Sequence, residues 1–119
     1  VDLVDVRAFR ARFARRPELL DGVFTPGELA WSRAQARPWE HLAARLAAKE
    51  AVWKALGTGL AGAFDWREVE VVRDAAGAPA LAFHGAAAAH LARERFTEAC
   101  VSLTHTRTQA LAVVVLWRR

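Results

Sequence analysis

An α+β fold with a mainly antiparallel sheet is what the sequence predicts, on three observations. Segments that alternate apolar and polar residues stand at the start of the chain and again in its second half. Stretches with helical spacing and helix-start residues fill the first half between them. The later strand segments are joined by turns, as in hairpins, so the order is strand, helices, hairpin, helix, two strands.

Each element has its own signal. "VDLVDV", residues 1 to 6, alternates apolar and acidic residues and reads as a short strand. From Val6 the spacing changes: Val6, Phe9 and Phe13 lie at i, i+3 and i+7, one face of a helix. Thr25, Pro26 and Glu28 form the start of a second helix, with Thr25 as cap, Pro26 at the first position and Glu28 three residues after the cap. That helix is expected to run to about Gln35. Pro38 opens a third, through "WEHLAARLAAKEAVWKAL", with Leu42, Leu46, Trp53 and Leu56 as buried candidates and Gly57 placed to end it in a left-handed conformation.

"WREVEVVRD" alternates and reads as a strand over residues 66 to 74. "DAAGAP" is a turn and "PALAFH" the returning strand. "GAAAAHLARERF" is a short helix, and "EACVSLTH" and "QALAVVVLW" are two more strands turning near Arg107.

Composition bounds the function. The 119 residues suffice for one domain, with 54% hydrophobic residues to build a core. No apolar run approaches the roughly 20 residues that span a bilayer. A single cysteine, Cys100, fits a reducing cytoplasm and makes a structural zinc site improbable. With no methionine anywhere, the chain reads as trimmed at its start or cut from something longer. The net charge of +4 points to an acidic partner: nucleic acid, an anionic cofactor or an acidic protein surface. A nucleic-acid module is disfavoured, because no aromatic series is interleaved with the basic residues.

The chemistry concentrates in "AAKEAVWKALGTG", residues 47 to 59. Glu50 and Lys54 share a helical face, which by itself is also the pattern of a surface ion pair. Arg45, Lys49 and Lys54 around one carboxylate suit a hard divalent cation together with a polyphosphate. Gly57, Thr58 and Gly59 add backbone N–H groups and a hydroxyl, and the same glycines also suit a plain helix end. Asp2 is a second carboxylate that can face a metal. His105 and Thr106 in "SLTHT" offer phosphate and sugar contacts at a strand end.

"VDLVDV", "ARLAAKEAVWKALGTG", "WREVEVVRDAAGAPAL" and "VSLTHT", in that order and spacing over nearly the whole chain, resemble the holo-acyl-carrier-protein synthases, the small type of 4′-phosphopantetheinyl transferase. Leu46 and Trp53 depart from the pattern: many relatives carry an aromatic at the first position and a smaller aromatic at the second. The resemblance implies the 4′-phosphopantetheinyl transferase-like fold and transfer of phosphopantetheine from coenzyme A to a serine of an acidic apo acyl carrier protein, releasing 3′,5′-ADP. It implies Asp2 and Glu50 as ligands of Mg²⁺, with Lys54 on the phosphates and Glu50 and Lys54 as catalytic residues. Arg45, Lys49, Gly57, Thr58, Gly59, His105 and Thr106 are implied near the nucleotide, and Arg7, Arg10 and Arg15 at the carrier protein. It also implies a homotrimer with active sites between subunits. The alternative is a weak or inactive relative that docks carrier proteins within a larger synthase.

Overall fold

The computed structural model describes residues 1–57 and 64–119. In chain order the elements are β1 (Asp2–Asp5), α1 (Val6–Ala14), a 3-10 turn (Pro17–Gly22), α2 (Pro26–Arg33) and α3 (Pro38–Leu56), then a 3-10 turn (Trp66–Glu68), β2 (Val69–Arg73), β3 (Pro79–Phe83), α4 (Gly85–Arg93), β4 (Glu98–His105) and β5 (Gln109–Trp117). β5 is the centre of an antiparallel sheet ordered β1-β5-β4, and β2 and β3 form a separate antiparallel hairpin. The predicted α+β class and its antiparallel strands are what the structure shows.

The helix starts follow their caps. Asp5 ends β1 and caps α1, its Oδ1 accepting from the Ala8 amide at 2.8 Å. Thr25 and Glu28 cap α2 reciprocally, as the sequence predicts. Gly57 ends α3 at φ +73°, a backbone setting that side-chain-bearing residues rarely adopt.

Three places differ from expectation, the first being the helix predicted over residues 85 to 96, which ends at Arg93. The strand predicted over 66–74 begins only at Val69, because Asp65 and Glu68 cap each other and close Trp66–Glu68 into a 3-10 turn. Pro17–Gly22, to which the sequence reading gave no element, is a 3-10 turn that buries Leu20.

α3, about 28 Å long at 1.5 Å per residue, is the spine of the molecule. Its Ala43, Ala44, Ala47, Ala48 and Ala51 are enclosed, and β5 offers Ala110 and Ala112 in return. Small side chains on both partners let helix and sheet approach closely. Of the residues expected to be buried on α3, Leu42 and Trp53 are buried, while Leu46 and Leu56 are half-buried. At the α1 end, Phe9 packs on Phe13, Phe24 and Trp39 with ring centroids 4.8, 6.2 and 5.9 Å apart. On the opposite face of the sheet Leu3, Val113, Val115 and Trp117 remain 40–54% exposed.

Candidate active site

Alternation along β1 turns Asp2 and Val4 toward α3 and leaves Leu3 and Asp5 outside. The Asp2 carboxylate therefore meets the last turns of α3, where Glu50 and Lys54 stand one turn apart. The Lys54 ammonium donates to Asp2 Oδ1 at 2.5 Å and to the Val1 carbonyl at 3.3 Å. That bond raises the affinity of the ammonium for its proton. Glu50 lies beside Asp2. Burial, and then Asp2, push the Glu50 carboxyl up to about 7, and Lys54 opposes them. Asp2 Oδ2 is buried and has no hydrogen-bond partner among the described residues.

Two neighbouring carboxylates with one ammonium beside them carry an excess negative charge, and one buried oxygen lacks a donor among the described residues. Both features fit a divalent cation. Among the described residues no group of three or more His, Cys, Asp or Glu side chains is placed to hold a metal. Mg²⁺ does not need one, since it takes one or two carboxylates and completes its shell with water and phosphate.

Lys49 is a correction to the expectation that cations bracket Glu50. A step of one residue turns about 100° around a helix, and it carries Lys49 into the interior. Its ammonium is fully enclosed and donates to Glu28 Oε1 (2.8 Å), Trp66 O (3.1 Å) and Val69 O (2.5 Å). All three of its protons are committed. Burial lowers its pKa, and Glu28 opposes the shift. Glu28 is itself a hub, accepting from the Thr25 and Val71 amides at 3.0 and 2.9 Å. Lys49 thus ties α2, α3 and β2 together behind the acidic pair.

The other residues expected at the nucleotide stand apart from Asp2 and Glu50. His105 Nδ1 lies 3.4 Å from Glu40 Oε1, and Glu40 precedes Glu50 by about 15 Å along α3. Arg45 is buried and donates to the His41 carbonyl at 3.3 Å. The Thr106 hydroxyl accepts from the Thr108 and Gln109 amides and so shapes the β4–β5 turn. Gly57 ends α3 one turn beyond Lys54. Thr58 and Gly59 lie outside the described residues.

The three arginines of the first helical region also separate. Arg7 and Arg10 line a cleft of about 600 Å³ with Arg37, Trp39, Glu40 and Arg107. Arg15 caps the end of α1, outside that cleft. Sequence reasoning missed Arg12, which shares a cavity of about 270 Å³ with Phe9, Phe13, Leu46 and Glu50. Its position three residues after Phe9 and next to Phe13, at the border of the apolar stripe, is the signal that points to it.

Comparison with known proteins sets the class, a transferase, and then the family. The sequence model of the 4′-phosphopantetheinyl transferase superfamily matches residues 1–114, and the chain belongs to that family. It is 43% identical to the holo-[acyl-carrier-protein] synthase of Moorella thermoacetica, over 98% of this chain and 90% of that one. Among solved structures, the holo-[acyl-carrier-protein] synthase of Neisseria meningitidis superposes with a TM-score of 0.88 at 29% identity, covering 98% of this chain and 94% of the other. The ACPS–CoA complex of Chronobacterium ammoniagenes does so with 0.83 at 31%, covering 99% and 94%.

Proposed function

We propose that this chain transfers the 4′-phosphopantetheine group of coenzyme A to a serine of an apo acyl carrier protein, with Mg²⁺, releasing 3′,5′-ADP. The observation that carries the reading is the Asp2–Glu50–Lys54 arrangement: two carboxylates, an orphaned buried oxygen and a cation at its edge. Asp2 and Glu50 would hold Mg²⁺. When bound, the ion neutralises charge on the pyrophosphate. Lys54, with its side chain 60% exposed, reaches outward to a phosphate oxygen and stabilises charge on the leaving side. Glu50, directly or through a water that it orients, receives the proton of the acceptor serine.

Two features favour a site completed by a second copy of the chain. His105 contacts Glu40, about 15 Å along α3 from Glu50, and so stands at the other end of the helix from the acidic pair. The outer sheet face exposes Leu3, Val113, Val115 and Trp117, which suits subunit contacts. A homotrimer with shared sites satisfies both. Arg7, Arg10 and Arg15, with Arg12 beside Glu50, give α1 a basic surface for an acidic carrier, which chiefly sets encounter rate and selectivity. No described helix is long and apolar enough to cross a membrane, and coenzyme A and carrier proteins would be met in the cytoplasm.

Intact-mass spectrometry of an apo carrier protein incubated with the chain, coenzyme A and Mg²⁺ tests the reading. A gain of one phosphopantetheine that EDTA abolishes supports it. No gain on fatty-acid, polyketide and peptide carriers would favour the docking module.

A further inference from the structure

α4 covers the inner face of the sheet incompletely. The helix buries Ala87 and Leu91, while Ala88 and Ala92 beside them carry only a methyl group. A groove of about 330 Å³ remains between α4, the end of β3 and the start of β4, walled chiefly by Leu81, Phe83, Leu91, Phe96 and Ala99. Its two polar wall residues are already engaged. The Thr97 hydroxyl accepts from the Arg119 amide at 3.1 Å, and Glu98 Oε1 accepts from Arg119 Nε at 2.7 Å. The groove therefore offers a ligand apolar surface, whose removal from water is favourable.

The rim is basic. Arg93 and Arg95 stand next in sequence to the wall residues Ala92 and Phe96, are exposed, and form no ion pair among the described residues. Arg118 lies over the Phe96 ring, 4.3 Å from its centroid, and donates to the Glu94 carbonyl at 2.7 Å. Arginines 93, 95, 118 and 119 outweigh Glu94 and Glu98, so the rim carries net positive charge. Arg95 is also the one non-glycine with a positive φ among the described residues, at +62°. Its turn brings the Phe96 amide back to the Leu91 carbonyl at 3.0 Å. Glycine makes such a turn without strain, so the turn itself does not call for a guanidinium.

We propose that this groove binds one fatty acid, its alkyl chain beneath α4 and its carboxylate held by Arg95 and the neighbouring arginines. The volume lies at the small end of ligand sites, roughly 300–1,000 Å³, which admits a single alkyl chain and excludes a folded segment of another protein. The positive rim selects an anionic headgroup, and a carboxylate matches guanidinium donors. The groove is separate from the acidic pair: Asp2 pairs with Ala112 and Glu98 with Trp117, a step of about 17 Å along β5. It also lies at the opposite end of β4 from His105. The proposal does not depend on the transferase reading, and either can fail alone.

The test is a nuclear magnetic resonance titration of the isotope-labelled folded chain with hexanoate, octanoate and decanoate. The expected result is saturable shifts at the Leu91, Ala92, Phe96 and Ala99 amides, with affinity rising about fourfold for each methylene added. Decanol, which lacks the charge, is expected to bind about tenfold more weakly than decanoate. Ala92→Leu fills the groove from an exposed helix position and is expected to abolish the shifts with the fold retained. Arg95→Gly is expected to weaken decanoate binding about tenfold while raising the melting temperature, because the guanidinium and the backbone strain go together. Affinity independent of chain length, equal binding of decanol and decanoate, or unchanged binding in Ala92→Leu or Arg95→Gly overturns the site. So do shifts confined to Leu3, Val113 and Val115 on the outer sheet face. Groove shifts that appear on concentrating the chain alone would give the groove to a second copy and overturn it equally.

Discussion

Asp2 and Glu50 face one another across the junction of β1 and α3, and Lys54 donates to Asp2 at 2.5 Å beside them. Neither carboxylate is at ease there without further positive charge. Buried like charges of this kind disfavour the ionised pair and favour whatever cation neutralises it.

Glu50→Gln therefore acts in opposite directions on activity and stability. It removes a metal ligand and is expected to lower the turnover of carrier-protein modification by about a hundredfold or more. It also removes the repulsion with Asp2, so the metal-free variant is expected to melt at a higher temperature than the parent near pH 8. Steady-state kinetics and thermal melts in EDTA check the two signs.

The pH dependence of the metal-free chain follows from the same pair. Glu50 has a folded-state pKa raised from 4.5 to about 7. Between those values the folded chain holds a proton that the unfolded chain has released. Stability from this group is present below about pH 4.5 and is lost as pH rises through about 7. Melting temperature in EDTA, compared between parent and Glu50→Gln, is expected to show that loss in the parent alone.

The buried Lys49–Glu28 pair predicts a large penalty for removing one partner. Lys49→Met leaves an enclosed carboxylate facing an apolar side chain and is expected to destabilise the fold by about 3–5 kcal/mol. Adding Glu28→Gln is expected to recover part of that loss, because the uncompensated charge goes with it. Urea denaturation of the two single variants and the double variant measures the coupling.

Gly85 starts α4 at φ +53°, and a Cβ there would overlap the Glu68 carboxylate that bonds the Ala86 amide. Gly85→Ala is expected to lower stability by about 1–3 kcal/mol through backbone strain and that overlap. The acidic pair is on other elements, so KM for coenzyme A is expected to stay unchanged. A shift in KM without loss of stability would contradict this separation.

Much of the fold was legible because punctuation is local. Pro38 and Gly57 bound α3, Thr25 and Glu28 start α2, and alternation marks β4 and β5, all within a few residues of the feature they set. The site was legible in part. That Asp2 meets Glu50 depends on β1 pairing with β5 beneath α3, which no spacing rule encodes; the motif resemblance supplied it. The direction of Lys49 was not legible. Its partner Glu28 reads in sequence as a helix cap alone, yet it accepts from a cap amide, an ammonium and a strand amide at once.

The most direct test of the acidic pair as the metal site is binding of Mn²⁺, as a spectroscopic stand-in for Mg²⁺, followed by electron paramagnetic resonance with coenzyme A present. The account predicts about one tight ion per subunit in the parent, and its loss in both Asp2→Asn and Glu50→Gln with the fold retained. Retention of a tight Mn²⁺ ion in the two variants would contradict it and place the metal elsewhere.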